Sequence, residues 1–138
     1  MKYLGLVICL IGWGLYSCND KDPTEVVVES NISIKIVTPS GSEINNFRGS
    51  PGNHVHFYIT VTTTRGLSKL RAINYEDGVQ ESIQFYQVLT DPIINYASPQ
   101  LTYYFVESQL DKKIEYMVEA TDESGEVATY SLPVSVSR

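Results

Sequence analysis

Two cysteines, one tryptophan and ten basic side chains are the scarce features of this 138-residue chain. Each scarcity excludes something. Ten Lys and Arg against sixteen Asp and Glu leave a formal net charge of −6. Neutralising nucleic-acid phosphates takes clustered basic residues, so no nucleic-acid partner is expected. The longest apolar run without charge, Leu4 to Tyr16, falls short of the roughly 20 residues that a membrane-spanning helix needs. Two cysteines make at most one disulfide. What is present is 43% hydrophobic and 11% aromatic residues, the profile of one ordered globular domain. Composition names no activity.

The first eighteen residues carry an address. Lys2 supplies a positive start and the apolar run follows it, as in a secretory signal peptide. The run closes on Leu15, Tyr16, Ser17 and Cys18, which resembles the lipobox of bacterial lipoproteins: an aliphatic residue three before the cysteine, a small residue just before it, then the cysteine. The resemblance implies lipidation of Cys18 and cleavage of residues 1–17. Tyr16 departs from the small residue common at its place, although looser versions are familiar in bacteroidete-type lipoproteins. Residues 18–25, with Asn19, Asp20, Lys21, Asp22 and Pro23, then read as a flexible tether. Acidic residues just after the cysteine resemble the surface-export signal of bacteroidete lipoproteins. The expected location is the outer membrane, on its surface or its periplasmic face.

Cleavage would remove Lys2, Cys9 and Trp13, leaving nine basic residues (ten less Lys2) and a single cysteine. No intrachain disulfide is then possible, and residues 26–138 must hold together by their hydrophobic core, which about 100 residues can do. Acyl chains contribute about 0.8 kcal/mol per buried methylene, so two or three of them anchor the protein without spanning anything.

From Val26 onward the apolar period is two. Ile32, Ile34 and Ile36 alternate with Ser33 and Lys35, and Val55, Phe57, Ile59 and Val61 alternate with His56, Tyr58 and Thr60. Such alternation marks strands covered on one side. Gly66 opens a segment from Leu67 to Tyr75 that ends in Asp77-Gly78, a strong hairpin turn. Ser82 to Leu89 follows, with Asp91 and Pro92 expected to stop it. Leu101, Tyr103 and Phe105 form the next run, then Tyr116, Val118 and Ala120, and finally Tyr130, Leu132, Val134 and Val136. Pro133 suits an edge strand. Seven strand candidates with turns between them predict an all-β, two-sheet Greek-key sandwich.

Leu110 followed six residues later by Tyr116, at the head of an inward-facing run, resembles the tyrosine corner of immunoglobulin-like and fibronectin type III domains. There the hydroxyl bonds backbone across the corner. Lys112 and Lys113 stand where fibronectin modules commonly carry Pro and Gly. Ala120 to Ala128, with Gly125 at a positive-φ position, is similar to the last hairpin of bacterial immunoglobulin-like modules. Pro51-Gly52 leading into Val55–Val61, then Gly66-Leu67, is similar to single-domain bacteroidete lipoproteins of unknown function. The resemblance implies an immunoglobulin-like fold and no activity.

Candidate sites are few. His54 and His56, two apart on a strand, present both imidazoles to one face, but a zinc site needs a third ligand and the face is one where polar residues belong anyway, so no metal is assigned. Asp122, Glu123 and Glu126 supply oxygens for calcium, yet a turn needs Asp, Ser and Gly for its own backbone reasons. No nucleophile elbow, metalloprotease helix or phosphate loop occurs, and the one remaining cysteine is committed to lipid, so no enzyme and no cofactor are expected. Eight tyrosines survive processing, too many for so small a core. Tyr86, Tyr96 and Tyr104 are the candidates for an exposed binding patch.

Three readings stay open. The first is a non-catalytic binding or assembly module on the envelope, contacting a protein or an envelope glycan. The second is a carbohydrate-capture accessory of a nutrient-uptake system, in which exposed tyrosines stack on sugar rings. The third is a structural spacer, which predicts no contiguous apolar patch. Oligomeric state is not written in the sequence.

Overall fold

The computed structural model describes residues 31–138. The expectations for the signal peptide, Cys18 and the tether fall on residues 1–30 and lie outside the described residues. Seven strands follow in order: β1 (Ile32–Val37), β2 (Phe47–Gly49), β3 (His54–Glu76), β4 (Val79–Ala97), β5 (Leu101–Tyr104), β6 (Ile114–Asp122) and β7 (Val127–Val136). Among the described residues the only helical element is a 3-10 turn, Glu107–Gln109. The fold is all-β, with the seven strands joined in one curled sheet that folds over into two layers.

Its two layers are continuous with each other. In the first layer, β1 and β5 flank the first half of β3, with Ile34 opposite Val61 and Tyr103 opposite Val55. The second layer runs β4, the second half of β3, β6, β7 and β2. All its pairings are antiparallel except β2 with β7, which is parallel. β3 and β4 both belong to each layer because both turn the same corner. The core lies between the layers, where Ile36, Phe57 and Ile59 from one side meet Leu70, Tyr116, Val118 and Leu132 from the other. Four aromatic rings fill its centre: Phe47 stands 4.9 Å from Phe57, 5.1 Å from Tyr103 and 5.4 Å from Tyr116 between ring centroids. Offset and edge-on packing of this kind adds to the area that the rings bury.

Several expectations hold. β1 and the end of β7 alternate buried with exposed, and β6 alternates buried with half-buried, as the period of two requires. The turn after β3 has Asp77 and Gly78 both at positive φ, 51° and 81°, the geometry whose twist matches a hairpin. Gly125 turns at φ 89°.

Five details differ. Gly66 does not divide two strands, and Pro92 does not end one. The register passes from Leu67↔Ile93 directly to Lys69↔Val88, so residues 89–92 stand out of the ladder and the N–H that proline lacks is not missed there. Pro133 precedes a covered stretch rather than a bare edge, because β2 pairs with Val134, Ser135 and Val136. β2 itself has one buried side chain, Phe47, too short a pattern for periodicity to show. Tyr116 is buried as the corner motif requires. Among the described residues, though, no backbone group accepts a bond from its hydroxyl, and Leu110 is only half-buried.

Candidate functional site

The two outer faces of the sandwich differ in chemistry. On the first layer, the residues of β3 that point away from the core are His54, His56, Tyr58, Thr60 and Thr62. Register sets Tyr104 beside His54 and Thr102 beside His56 on β5, with Lys35 of β1 beside Thr60. The His54 and His56 rings lie 4.8 Å apart and Tyr104 stands 5.8 Å from His54. His56 Nδ1 is hydrogen-bonded to Thr102 Oγ1 at 2.9 Å, and the Tyr58 hydroxyl donates to Gln100 Oε1 at 3.2 Å.

On the second layer the register builds a grid. Val88, Lys69, Thr121 and Val127 form one row; Tyr86, Arg71, Glu119 and Thr129 the next; Ile83, Ile73, Met117 and Ser131 the third. Arg71 grips Glu119 in a two-pronged pair, Nε to Oε1 at 2.9 Å and Nη2 to Oε2 at 3.0 Å. Hydrogen bonding and the charge of Glu119 raise the guanidinium's already high pKa. Ile73 has no exposed surface yet is outside the core cluster. Its register partners are Ile83 on β4 and Met117 on β6. Ile83, Tyr86 and Val88 follow one another along β4 with 52%, 57% and 61% of their surfaces exposed. Contiguous exposed apolar side chains, unlike scattered ones, mark interaction surfaces.

The three tyrosines named from sequence separate. Tyr86 and Tyr104 are exposed, but on opposite outer faces. Tyr96 is buried at 8% exposure, its hydroxyl donates to Gln87, and burial pushes its phenol pKa up. It is therefore not part of an exposed tyrosine patch. The parity that points Tyr86 outward points Tyr96 inward, because β4 changes layers between them.

Asp122 is a turn-former. Its Oδ1 accepts from Ser124 N, Ser124 Oγ and Glu126 N at 2.9, 2.6 and 2.9 Å. The cation beside it is Arg65, whose Nη1 donates to Ser124 Oγ at 2.9 Å and to Glu126 Oε2 at 3.1 Å and approaches Asp122 Oδ2 to 3.8 Å. Burial works to raise the Asp122 pKa. The donors from Ser124 and Glu126 and the charge of Arg65 outweigh it and hold the carboxyl below its usual value. The guanidinium is the cation that the Asp122 and Glu126 carboxylates face. Among the described residues no three His, Cys, Asp or Glu side chains converge on a metal-sized space.

Sequence reasoning missed a polar network inside the core. Gln109 Nε2 donates to the Tyr103 hydroxyl at 2.8 Å, that hydroxyl donates to Asn74 Oδ1 at 3.3 Å, and Val106 N donates to Gln109 Oε1 at 3.1 Å. Burial, the largest influence, raises the Tyr103 pKa. Near the chain's end a depression of ≈ 490 Å³ is lined by Leu110, Asp111, Val136, Ser137 and Arg138. No histidine stands there to activate Ser137.

No family model and no curated protein matches the chain. Two of the solved structures similar to it are domains of other proteins. One is the BIgI domain of beta protein from S. agalactiae bound to CEACAM1, at 18% identity and TM-score 0.43, over 76% of this chain and 95% of that one. The other is the CARDB domain of a Pyrococcus furiosus protein in complex with di-metal ions, at 16% identity and TM-score 0.35, over 78% and 96%.

Proposed function

We propose that this chain is a lipid-anchored, non-catalytic binding module of the cell envelope, and that it holds a protein partner on the outer face of β4, β3, β6 and β7. The observation that carries the reading is the run Ile83, Tyr86 and Val88, exposed side by side next to the Arg71–Glu119 pair. An apolar centre beside an oriented charge pair is how protein interfaces are composed. A sugar platform needs aromatic rings in one plane, and Tyr86 and Tyr104 lie on opposite faces with Tyr96 buried, so carbohydrate capture has less support. A spacer would present no such run. The anchor reading rests on Leu15, Tyr16, Ser17 and Cys18.

A photo-crosslinking residue placed at position 86 or 88 in growing cells tests the face. The expected result is one defined protein adduct from these positions and none from position 35 or 60 on the opposite face, with the adduct lost in Ile83→Lys. Adducts of equal yield from both faces, or none from either, overturn the assignment. A clickable palmitate analogue should label the wild-type chain and not Cys18→Ala. Label that persists in the variant refutes the anchor.

A further inference from the structure

We propose that His54 and His56 chelate one divalent transition-metal ion, Cu2+ above the others, on the outer face of β1, β3 and β5. The inference is independent of the protein-binding reading, which concerns the opposite face. Alternation along β3 sends both imidazoles to the same side, and both are exposed with ring centroids 4.8 Å apart. Two nitrogens bound in adjacent positions about 2 Å from one ion stand roughly 3 Å from each other, a separation that rings so placed reach by small side-chain rotations. His56 is already oriented. Its Nδ1 meets Thr102 Oγ1 at 2.9 Å, and in the tautomer where Nδ1–H donates, Nε2 carries its lone pair outward. A hydrogen bond behind the ligating ring is the usual device for fixing a metal-binding histidine. The Tyr104 ring stands 5.8 Å from that of His54.

The choice of ion follows from what is absent. A tetrahedral zinc centre takes three or four protein ligands, and among the described residues no third His, Cys, Asp or Glu joins the pair. Cu2+ prefers tetragonal geometry, suits imidazole, and binds a given nitrogen site more tightly than the other divalent first-row metals. Two adjacent equatorial nitrogens with water in the remaining positions satisfy it.

The test titrates Cu2+ into the full, tag-free chain with Cys9 and Cys18 replaced by serine, so that no thiol competes, and follows it by calorimetry and electron paramagnetic resonance. One equivalent should bind, with a signal showing two imidazole nitrogens. Thr102→Val should weaken binding about tenfold, the size expected for loss of an outer-shell partner, and His54→Gln or His56→Gln by more than that. All three substitutions are at the surface, and unchanged denaturation midpoints will show that the fold is kept. Binding of equal strength in the His54→Gln/His56→Gln double variant, or a signal without two imidazoles, overturns the proposal. Zn2+ binding more tightly than Cu2+ would refute the choice of ion.

Discussion

Gly66 and Pro92 face each other where β3 and β4 turn from one layer into the other: a Cβ on Gly66 would lie 2.5 Å from the Pro92 Cβ. Gly66 also has φ +89°, a conformation that side chains rarely adopt. Two costs therefore add in Gly66→Ala, about 1–3 kcal/mol for the backbone and about 1–3 kcal/mol for overpacking. The variant should lose about 2–6 kcal/mol in urea denaturation, whereas Gly41→Ala, with φ +91° and nothing near its Cβ, should lose only the backbone share. Equal losses would show that the close approach at the corner does not matter.

Tyr103 and Tyr116 are both buried in the aromatic centre, 5.7 Å apart, but their hydroxyls differ. Tyr103→Phe strands Gln109 Nε2 and Asn74 Oδ1, and leaving buried polar groups unpaired costs about 1–3 kcal/mol. Tyr116→Phe breaks no hydrogen bond among the described residues and should cost less than about 1 kcal/mol. Denaturation of the two variants side by side checks the order, which is the reverse of what burial alone suggests, since Tyr116 is the more buried.

The same corner explains how far the sequence could be read. Alternation was legible in Ile32–Ile36 and Tyr116–Ala120 because each of those strands keeps one face on the core. β3 does not keep one parity. Phe57, Ile59 and Val61 face inward before Gly66, and Leu70 and Ala72 after it. Odd positions give way to even ones as the strand changes layers. A glycine and a proline read locally as breakers, and nothing local says that a ladder resumes beyond them. The inward turn of Tyr96 was hidden for that reason. Gln109 was hidden for another: a lone amide in a polar loop has the composition of a surface residue, and only its partners make it a core one. The His54, His56 pairing was visible from parity, whereas Thr102 behind it needed the β3–β5 register.

Asp122 makes stability depend on acidity. Its folded-state pKa is below the ordinary 3.8, so the stabilisation it contributes is complete above the unfolded value and lost as pH falls through the folded one. Asp122→Asn keeps an acceptor for Ser124 and Glu126 but turns an amide toward Arg65 and removes the charge that Arg65 faces. It should cost about 1–3 kcal/mol at pH 7. The gap to wild type should narrow below about pH 4, as the native carboxyl takes up its proton. Urea midpoints measured from pH 7 to pH 2 give the answer. A gap that stays constant through the acid range would mean that the carboxylate's charge contributes nothing and that the effect is one of shape.

The outer face of β4, β3, β6 and β7 allows stability and binding to be told apart. Arg71 and Glu119 form a well-aligned pair, yet their side chains remain 35% and 20% exposed, and pairs open to water contribute about 0–1 kcal/mol. Tyr86 and Val88 are more exposed still, so truncating either removes little from the folded state. Arg71→Met, Tyr86→Ala and Val88→Ala should each shift stability by less than about 1 kcal/mol. Ile73→Ala, on the same face but with none of its own area exposed, should cost about 2–5 kcal/mol. If the face holds a partner, the first three substitutions should nevertheless weaken crosslinking by a further photo-crosslinking residue placed at position 83, since aromatic and arginine side chains dominate binding energy where they are central. Ile73 marks the boundary between the two effects: it belongs to this face without offering exposed area, and losing it should reduce crosslinking only to the extent that it unfolds the chain.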